Sequence, residues 1–275
     1  MDLTTVTSYR VARERADLRL APGETVLGGG TWLMSEPQPE TTGLVDLAGM
    51  GWTDLEVTAA GLRIAATCTI ADLVAFAQRR GSIMPPDYWR AAEMFPDAAN
   101  ALLASFKIWN LATVGGNLCR SFAAGAMISL AVALDGVAEV WTADGAERRM
   151  PVADLPTGNG TNALLPGEVL RAVELPAAAL SSHAVLEKIA LAELGRSGAV
   201  VTARRGVDGS AVFAVTAATL TPHVMRFPGM PDAAHLRDRV EAADDFYTDP
   251  LGAADWRRGV SVVLAERARR RLEAS

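Results

Sequence analysis

Short apolar runs bounded by glycine and polar turn residues fill much of the first half of the chain. Runs with the length and composition of strands lie at 24–27, 43–50, 54–67 and 138–152. The third contains two β-type segments divided by Ala59, Ala60 and Gly61, and the fourth alternates about Asp144-Gly145. Both patterns predict β-hairpins, because small turn residues or an Asp-Gly pair let the chain reverse between two strands.

Four helices are predicted in the same half, over 8–18, 69–81, 90–103 and 126–134. The first is polar and rich in arginine. Thr69 and Asp72 form a capping pair at the start of the second, and Gly81 is placed to end it. Pro96 must break or kink the third helix, because proline lacks an amide hydrogen and its ring clashes with the preceding turn.

The last third of the chain has the pattern of an α+β unit with an antiparallel sheet. Strands and then helices are predicted at 184–189, 198–204, 211–220, 233–243 and 255–272. The loop 157–168, rich in glycine and asparagine, separates this unit from the rest. We therefore expect a first domain over 1–165, with subdomains of about 1–50 and 51–165, and a C-terminal domain over 166–275.

Charge and hydropathy exclude several classes of function. The formal net charge is −6 and the pI is near 5.2, whereas a general nucleic-acid binder needs dense Lys and Arg on one face. No apolar run approaches the ~18 residues of a membrane-spanning helix, and the N-terminal segment has no apolar core of the kind that a signal peptide carries. We therefore expect a cytoplasmic protein that neither spans a membrane nor binds nucleic acid.

Few residues are available for metal or disulfide chemistry. Cys68 and Cys119 are too few for a disulfide framework or an iron–sulfur site, so any such cluster must lie on another chain. His183, His223 and His235 are scattered without a ligand pattern. We expect neither a metal site nor a catalytic acid or base on this chain.

Two glycine turns follow strand-like segments, as 28-GGGTWL-33 and 110-NLATVGGN-117. Backbone N–H groups in such turns can point into one concavity, and the missing Cβ lets a phosphate approach them. Two turns that converge on one diphosphate can hold a dinucleotide without any Lys or Arg. The alternative is that the glycines only permit tight bends and close packing. Neither G-x-G-x-x-G after a strand nor G-x-x-x-x-G-K-[ST] occurs, so the standard phosphate loops are excluded.

The pair of turns, about 85 residues apart, resembles the two FAD-binding signatures of the flavoprotein subunits of molybdenum hydroxylases. This family includes the medium subunit of aerobic carbon monoxide dehydrogenase and the FAD domain of xanthine dehydrogenase. The resemblance extends along the chain through 44-LVDL-47, 61-GLRIAATCTIADL-73 and 164-LLPGE-168. It implies an α+β fold: a vanillyl-alcohol-oxidase-like (PCMH-type) FAD-binding fold of two subdomains, followed by an α+β C-terminal domain with an antiparallel sheet.

The resemblance also implies which residues hold the FAD diphosphate through backbone amides and short side-chain donors. They are Gly28, Gly29, Gly30, Thr31, Thr113, Gly115, Gly116 and Asn117. Trp32 follows the first turn, where the family has a small or acidic residue, and either shields the cofactor or is an ordinary core residue. Lys188 matches a family lysine near the flavin edge, with a plain surface lysine as the alternative.

Three further positions depart from the family pattern. Lys107 and Trp109 stand where the family has Gln and Arg before the second signature. Ala126 occupies the position of an Asp whose carboxylate lies near the flavin. The family carboxylate contact is therefore missing here, while backbone amides remain able to hold the phosphates.

We therefore expect the FAD-binding subunit of a molybdopterin-dependent hydroxylase or dehydrogenase complex. The resemblance implies a molybdopterin-binding large subunit and an iron–sulfur small subunit as partners, with NAD, quinone or oxygen as the electron acceptor. Two alternatives stay open. One is a flavin-free subunit that only bridges its partners, which Ala126 and Trp109 motivate, and the other is a stand-alone flavin diaphorase.

Overall fold

The computed structural model describes residues 3–101, 106–192 and 195–274, which form three main sheets with helices packed between and against them. The strands in these ranges are β1 (Ser8–Val11), β2 (Glu24–Leu27), β3 (Gly43–Asp46), β4 (Leu55–Val57), β5 (Gly61–Ala65), β6 (Val137–Trp141), β7 (Glu147–Pro151), β8 (Pro156–Gly158), β9 (Thr161–Asn162), β10 (Val169–Pro176), β11 (His183–Ile189), β12 (Ala199–Arg205), β13 (Ala211–Thr216) and β14 (His223–Phe227). The helices are α1 (Ile70–Ala77), α2 (Phe95–Ala101), α3 (Phe106–Trp109), α4 (Val114–Arg120), α5 (Ala126–Ala133), α6 (Ala177–Leu180), α7 (Ala233–Glu241) and α8 (Ala254–Ala274). Short 3-10 helices lie at Arg15–Leu18, Leu47–Met50, Arg90–Met94 and Val152–Asp154.

The first sheet is parallel, in the order β1-β3-β2. The prediction of an arginine-rich helix over 8–18 is wrong for its first part, because Ser8–Val11 forms β1. Only Arg15–Leu18 is helical, and it is a 3-10 helix. The reason is tertiary. Arg10 pairs with Glu24 on β2 at 2.8 Å, and the Tyr9 hydroxyl donates to Asp46 on β3 at 2.6 Å. These contacts outweigh the modest helical preference of arginine and alanine.

The second sheet is antiparallel, in the order β4-β5-β10-β6-β7. The two hairpins predicted from the sequence, β4-β5 and β6-β7, are confirmed. β10 pairs with the inner strand of each hairpin and completes the sheet between them. Because a boundary at 165/166 would separate β10 from its neighbours, we propose that the first domain extends through Pro176.

The third sheet is antiparallel, in the order β11-β12-β13-β14, and α7 and α8 cover one face of it. The predicted antiparallel sheet and both predicted helices are confirmed. The sequence pattern missed β14, which is short and mixes polar with apolar residues. α8 is long but strongly charged, and none of the helices in the described ranges is both long and apolar enough to cross a membrane.

The helices of the first half begin and end for local reasons. α1 begins after the predicted cap, where the Thr69 hydroxyl accepts from the Asp72 amide at 3.0 Å. The helix ends before Gly81, because Arg79 takes the left-handed conformation with φ +57°. Pro96 is the second residue of α2, where the preceding 3-10 helix changes into an α-helix. The last two residues of the helix predicted over 90–103 lie outside the described residues.

α5 is the centre of the molecule. All eight of its residues are buried, as expected of a helix that is apolar on every side. It packs against α2 and α4 on one side and against β12 and β13 on the other. Two polar contacts fix the second face: the hydroxyls of Ser129 and Thr216 lie 2.7 Å apart, and the Arg204 guanidinium donates to the Ala133 carbonyl at 2.8 Å. The third sheet is thereby joined to the main core.

Candidate functional site

The first glycine turn follows β2 and presents a row of backbone amides. It begins at Gly28, and Gly30 takes φ +68°, which glycine adopts without strain. The turn closes with a hydrogen bond from the Met34 amide to the Gly30 carbonyl at 2.9 Å. In the described part of the chain, the N–H groups of residues 28–32 have no acceptor, although all five residues are only half-buried. These amides are available to an anionic ligand.

Thr31 and Trp32 use their carbonyl groups to stabilise the same turn. The Ser35 hydroxyl donates to the Thr31 carbonyl at 2.6 Å, and the Ser35 amide donates to the Trp32 carbonyl at 2.9 Å. Both carbonyls are thus bonded to Ser35. Among the described residues, the Thr31 hydroxyl and the amides of Thr31 and Trp32 have no acceptor, so they can donate to a ligand.

The second turn is the beginning of α4. Thr113 is buried and caps the helix, and its hydroxyl accepts from the Gly116 amide at 3.0 Å. The Thr113 carbonyl accepts from the Asn117 amide at 3.0 Å. Gly116 itself is exposed. The capping threonine therefore orders the turn, and the bare backbone of Gly116 is its accessible part.

The two glycine turns lie directly against each other. A Cβ on Gly29 would lie 1.6 Å from the Leu111 carbonyl oxygen, far inside any real contact. A Cβ on Gly28 would lie 2.9 Å from the Thr113 hydroxyl, and one on Gly116 would lie equally close to the same oxygen. The Thr113 hydroxyl is thus the point at which the turns meet, and glycine is required there by the closeness of the two backbones.

Gly115 is placed differently from the other glycines. Its amide donates to the Ala66 carbonyl at 3.0 Å, and the Val114 amide donates to the Cys68 carbonyl at 2.8 Å. A Cβ on Gly115 would lie 2.5 Å from that of Ala66. This glycine lets α4 pack on the segment after β5. Its amide is already bonded within the protein, and its expected role as a phosphate donor stays a prediction.

Asn117 joins α4 to α5. Its side-chain carbonyl accepts from the Met127 amide, in the first turn of α5, at 3.0 Å. This bond satisfies one of the amides that a helix N-terminus leaves without an intrahelical partner. The side-chain NH₂ group of Asn117 has no acceptor in the described ranges and is the part that remains for a ligand.

A cluster of one cation and two aromatic rings, formed by Arg120, Trp32 and Phe122, adjoins the first turn. The sequence pattern did not predict it. The guanidinium carbon of Arg120 lies 3.7 Å from the centre of the Trp32 ring and 4.4 Å from that of Phe122. The two rings meet edge to face with centres 6.2 Å apart. Trp32 is therefore neither isolated nor a core residue: it is half-buried and stacks on a cation from the last turn of α4. The triplet Gly-Gly-Thr before Trp32 indicated the turn, but it did not indicate that Arg120 packs on Trp32.

The loop between β8 and β9 closes over the end of α4. Its Gly160 amide donates to the Ser121 carbonyl at 2.8 Å, and the Asn162 side chain donates to the Cys119 carbonyl at 2.6 Å. The Asn159 side chain accepts from the Ala123 amide at 3.1 Å. This asparagine- and glycine-rich loop, which the sequence suggested as a domain boundary, holds the segment that follows the second turn.

Lys188 lies on β11, where its ammonium group donates to the Asn100 carbonyl at 2.8 Å. Asn100 is near the end of α2. The lysine therefore ties the third sheet to the first domain. Its expected place near a flavin edge stays a prediction.

The three positions that depart from the family pattern differ in their exposure to solvent. Ala126 is the first residue of α5 and is buried, so no polar group projects from this point. Trp109 lies on α3 and packs against the main core, and its indole nitrogen is buried without an acceptor in the described ranges. Lys107 lies on the same short helix and is exposed.

The two cysteines are inert. Burial raises the pKa of the Cys119 thiol to about 12, and it raises the pKa of Cys68 still further. Both raised pKa values disfavour the thiolate that a nucleophile or a metal ligand requires. The described residues contain no group of three or more His, Cys, Asp or Glu side chains placed to hold a metal.

Comparison with known proteins gives one family and a set of similar structures. The family described as "FAD binding domain in molybdopterin dehydrogenase" matches residues 8–178, more than half of the chain. No curated protein sequence matches. A CO dehydrogenase from Oligotropha carboxidovorans, described as reconstituted, has a TM-score of 0.83 and 21% identity and covers 100% of this chain and 99% of its own.

Two further structures share the fold along nearly the whole chain. Quinoline 2-oxidoreductase from Pseudomonas putida 86 has a TM-score of 0.79 at 19% identity, covering 99% of this chain and 98% of its own. A carbon monoxide dehydrogenase from Hydrogenophaga pseudoflava, which lacks the Mo-pyranopterin moiety of its cofactor, has a TM-score of 0.78 at 18% identity, covering 96% of each chain. The α+β fold expected from the sequence is confirmed by these matches.

The arrangement of the two turns fits the diphosphate of FAD. Within the described ranges, the five consecutive amides of residues 28–32 lack protein acceptors. Gly28, at the start of this row, and the exposed Gly116 both adjoin the Thr113 hydroxyl. The two turns pack this closely only because neither Gly28 nor Gly29 has a Cβ. Rows of N–H groups of this kind bind phosphate oxygens.

Proposed function

The chain belongs to the family of FAD-binding domains of molybdopterin dehydrogenases, and from this premise we propose that it carries the flavin of a molybdopterin-dependent hydroxylase or dehydrogenase complex. Its cofactor is FAD, and it is part of an oxidoreductase. In the proposed route, electrons come from iron–sulfur clusters on a partner chain and leave through the flavin to an external acceptor. The single observation that carries the proposal is the row of unsatisfied amides in the first turn, held against the second turn at Thr113.

The bound flavin supplies the electron-transfer chemistry, and this chain binds and orients it. The amides of residues 28–32 are positioned to donate to phosphate oxygens. Thr113 keeps the second turn closed and sets its distance from the first. The loop at Gly160 and the Trp32 cluster close the adjoining end of the site. No described side chain is needed to move a proton in this role.

We expect the substitution Gly29→Ala to weaken FAD binding by at least about tenfold, since each charge-assisted hydrogen bond lost is worth roughly 1.5 to 3 kcal/mol. The added methyl group would overlap the Leu111 carbonyl and force the two turns apart. Quenching of flavin fluorescence during titration of the purified chain measures the dissociation constant. Thr113→Val, which removes only the hydroxyl at which the turns meet, is the milder variant and should weaken binding to a smaller degree.

Gly259→Ala is the matched control. Gly259 is an exposed residue of α8 with open space where a Cβ would lie, so the substitution should leave FAD binding unchanged. If Gly29→Ala and Thr113→Val stay folded and bind FAD as tightly as the wild type, the assignment of the glycine turns to the FAD site is contradicted. A folded wild-type chain that takes up no FAD would instead favour the flavin-free bridging subunit.

The partners and the acceptor are also proposals. We propose a molybdopterin-binding large subunit and an iron–sulfur small subunit, because the chain belongs to molybdopterin dehydrogenases but offers no metal-binding cluster in its described residues. NAD, quinone and oxygen remain candidate acceptors, and the cytoplasmic location remains a prediction.

Purification of the native assembly tests the partners. Molybdenum and iron should elute together with this chain at a mass well above its own 29.0 kDa. If the native protein elutes alone with FAD and oxidises NADH, the stand-alone diaphorase is the better interpretation.

A further inference from the structure

Arg120 is a cation at the edge of the site, and the described residues give it no anionic partner. It is the last residue of α4, and its guanidinium rests against the rings of Trp32 and Phe122. Its Nε atom is buried and has no acceptor in the described ranges. A Cβ on Gly160 would lie 3.3 Å from one of its terminal nitrogens, so the loop over α4 encloses another edge of the group.

Another stacked arginine, Arg171, shows what is unusual about Arg120. Arg171 lies with its guanidinium carbon 4.2 Å from the centre of the Trp52 ring and also has a buried nitrogen without an acceptor. Burial and the neighbouring Arg63 lower the pKa of Arg171, and the carboxylates of Glu139, Glu56 and Glu147 oppose this shift. Burial lowers the pKa of Arg120, and among the described residues no acidic side chain opposes this shift. Burying a charge without an opposite charge is unfavourable, so a site of this kind favours an anion.

The cluster also lies at the right place for a ligand of the turns. Gly28 meets the second turn at Thr113, just before α4 begins, and Trp32 meets Arg120 at the end of α4. Residues 28–32, with their unsatisfied amides, therefore run alongside this helix from one end to the other. A helix of seven residues is about 10 Å long at 1.5 Å per residue. Trp32, on whose ring Arg120 stacks, is itself the last residue of that row of amides.

We propose that Arg120 is an anion-binding residue for FAD, and that it contacts the diphosphate together with the amides of residues 28–32. The inference rests on the proposed function, and it adds one cation to the backbone amides that the sequence already suggested. Trp32 and Phe122 hold the guanidinium plane in place before FAD arrives. Holding the plane in advance lowers the conformational entropy that is lost when the ion pair forms. Trp32 is thereby a positioning residue, acting through Arg120.

The test compares FAD with riboflavin, which has the same ring system but no phosphate. We expect Arg120→Gln to weaken FAD binding by about tenfold to a hundredfold, the range for one charge-assisted hydrogen bond. Riboflavin binding should change less than about twofold, because it offers no anion. The dissociation constant for FAD should rise with salt more steeply in the wild type than in the variant. Arg120→Lys, which keeps the charge without the flat guanidinium, should recover part of the affinity.

Arg171→Gln is the matched control, since it removes an equally stacked arginine that has carboxylates around it. It should leave the ratio of FAD to riboflavin affinity unchanged. Equal losses of FAD and riboflavin in Arg120→Gln, or an unchanged FAD affinity in a folded variant, would overturn the proposal. A wild type that binds neither ligand would contradict the proposed function itself, which keeps the two failures distinct. Circular dichroism establishes that each variant is folded.

Discussion

At the scale of single residues, Arg257 is the most heavily buried charge in the described structure. It lies in α8 with no exposed surface. Its guanidinium donates to the carbonyls of Gly198 at 2.8 Å and Gly252 at 3.1 Å, and also to that of Ala217. It pairs with the Asp249 carboxylate as well. One side chain thus joins the ends of several loops at one edge of the third sheet.

We expect Arg257→Leu to lower the free energy of unfolding by about 3 kcal/mol, because it leaves buried carbonyls and a carboxylate without their donor. Urea denaturation followed by circular dichroism measures the change. The adjacent Arg258 is exposed, and Arg258→Leu should change stability by less than about 0.5 kcal/mol. Similar losses in both variants would mean that the buried hydrogen bonds contribute little.

The glycines show what a sequence can and cannot predict at this scale. Gly29 and Gly115 have the same local signal, a glycine in a turn after an apolar segment. Their surroundings differ. Gly29 packs against the Leu111 carbonyl, and its amide has no acceptor among the described residues, whereas the Gly115 amide donates to the Ala66 carbonyl. The difference depends on which distant segment lies opposite each residue. The contact of Arg120 with Trp32 was hidden for the same reason, since nothing in either local pattern indicates the other.

At the scale of elements, the first sheet depends on a charge pair that crosses it. The Arg10 guanidinium, with help from the Ala21 amide, holds the pKa of Glu24 at about 2, below its usual 4.5. A carboxylate with a lowered pKa in the folded state stabilises the fold above its unfolded pKa. That contribution is lost as the pH falls from about 4.5 toward 2.

We therefore expect Glu24→Gln to make the free energy of unfolding less dependent on pH under acidic conditions. The wild type should lose stability between pH 5 and pH 3 more steeply than the variant, while the variant is the less stable of the two at pH 7. Chemical denaturation at a series of pH values measures both. Glu40→Gln, at an exposed turn position, should follow the wild-type profile. Parallel curves for wild type and Glu24→Gln would contradict the assignment.

Elements with strong local signals were predictable, and those that depend on partners were not. The Asp-Gly hairpin β6-β7 and the capped helix α1 follow from turn and cap chemistry. β1 was predicted as a helix because its arginines favour helices locally, and only its neighbours reveal it as a strand. β10 went unrecognised, and its central place becomes clear only from the two hairpins that pair with it.

At the scale of the whole molecule, α5 makes the first domain and the third sheet parts of one packed body. The Ser129–Thr216 contact and the Arg204–Ala133 bond cross between them, and the Ala217 amide donates to the Ala123 carbonyl at 2.8 Å. Separate unfolding of either part would expose α5, whose residues are all buried. The arrangement favours one cooperative transition.

Fluorine NMR of protein labelled with 5-fluorotryptophan can test this cooperativity. Trp256 packs on Gly198 and Gly252 beside the third sheet, whereas the other five tryptophans lie in the first 141 residues. We expect the native signal of Trp256 to disappear at the same temperature as the other five. Trp256→Phe assigns that signal. Loss of the Trp256 signal in a separate, earlier transition would show that the third sheet unfolds on its own.

The position of β10 has a consequence for how the protein is made. The hairpins β4-β5 and β6-β7 do not pair with each other, and each waits for β10 to cover its inner edge. During synthesis from the N-terminus, both edges are complete and uncovered until Pro176 has left the ribosome. Open strand edges are templates for aggregation, so chaperone demand should be greatest in this interval. The two glycine turns are already made by then, but the sheet beneath them is finished only when its middle strand arrives.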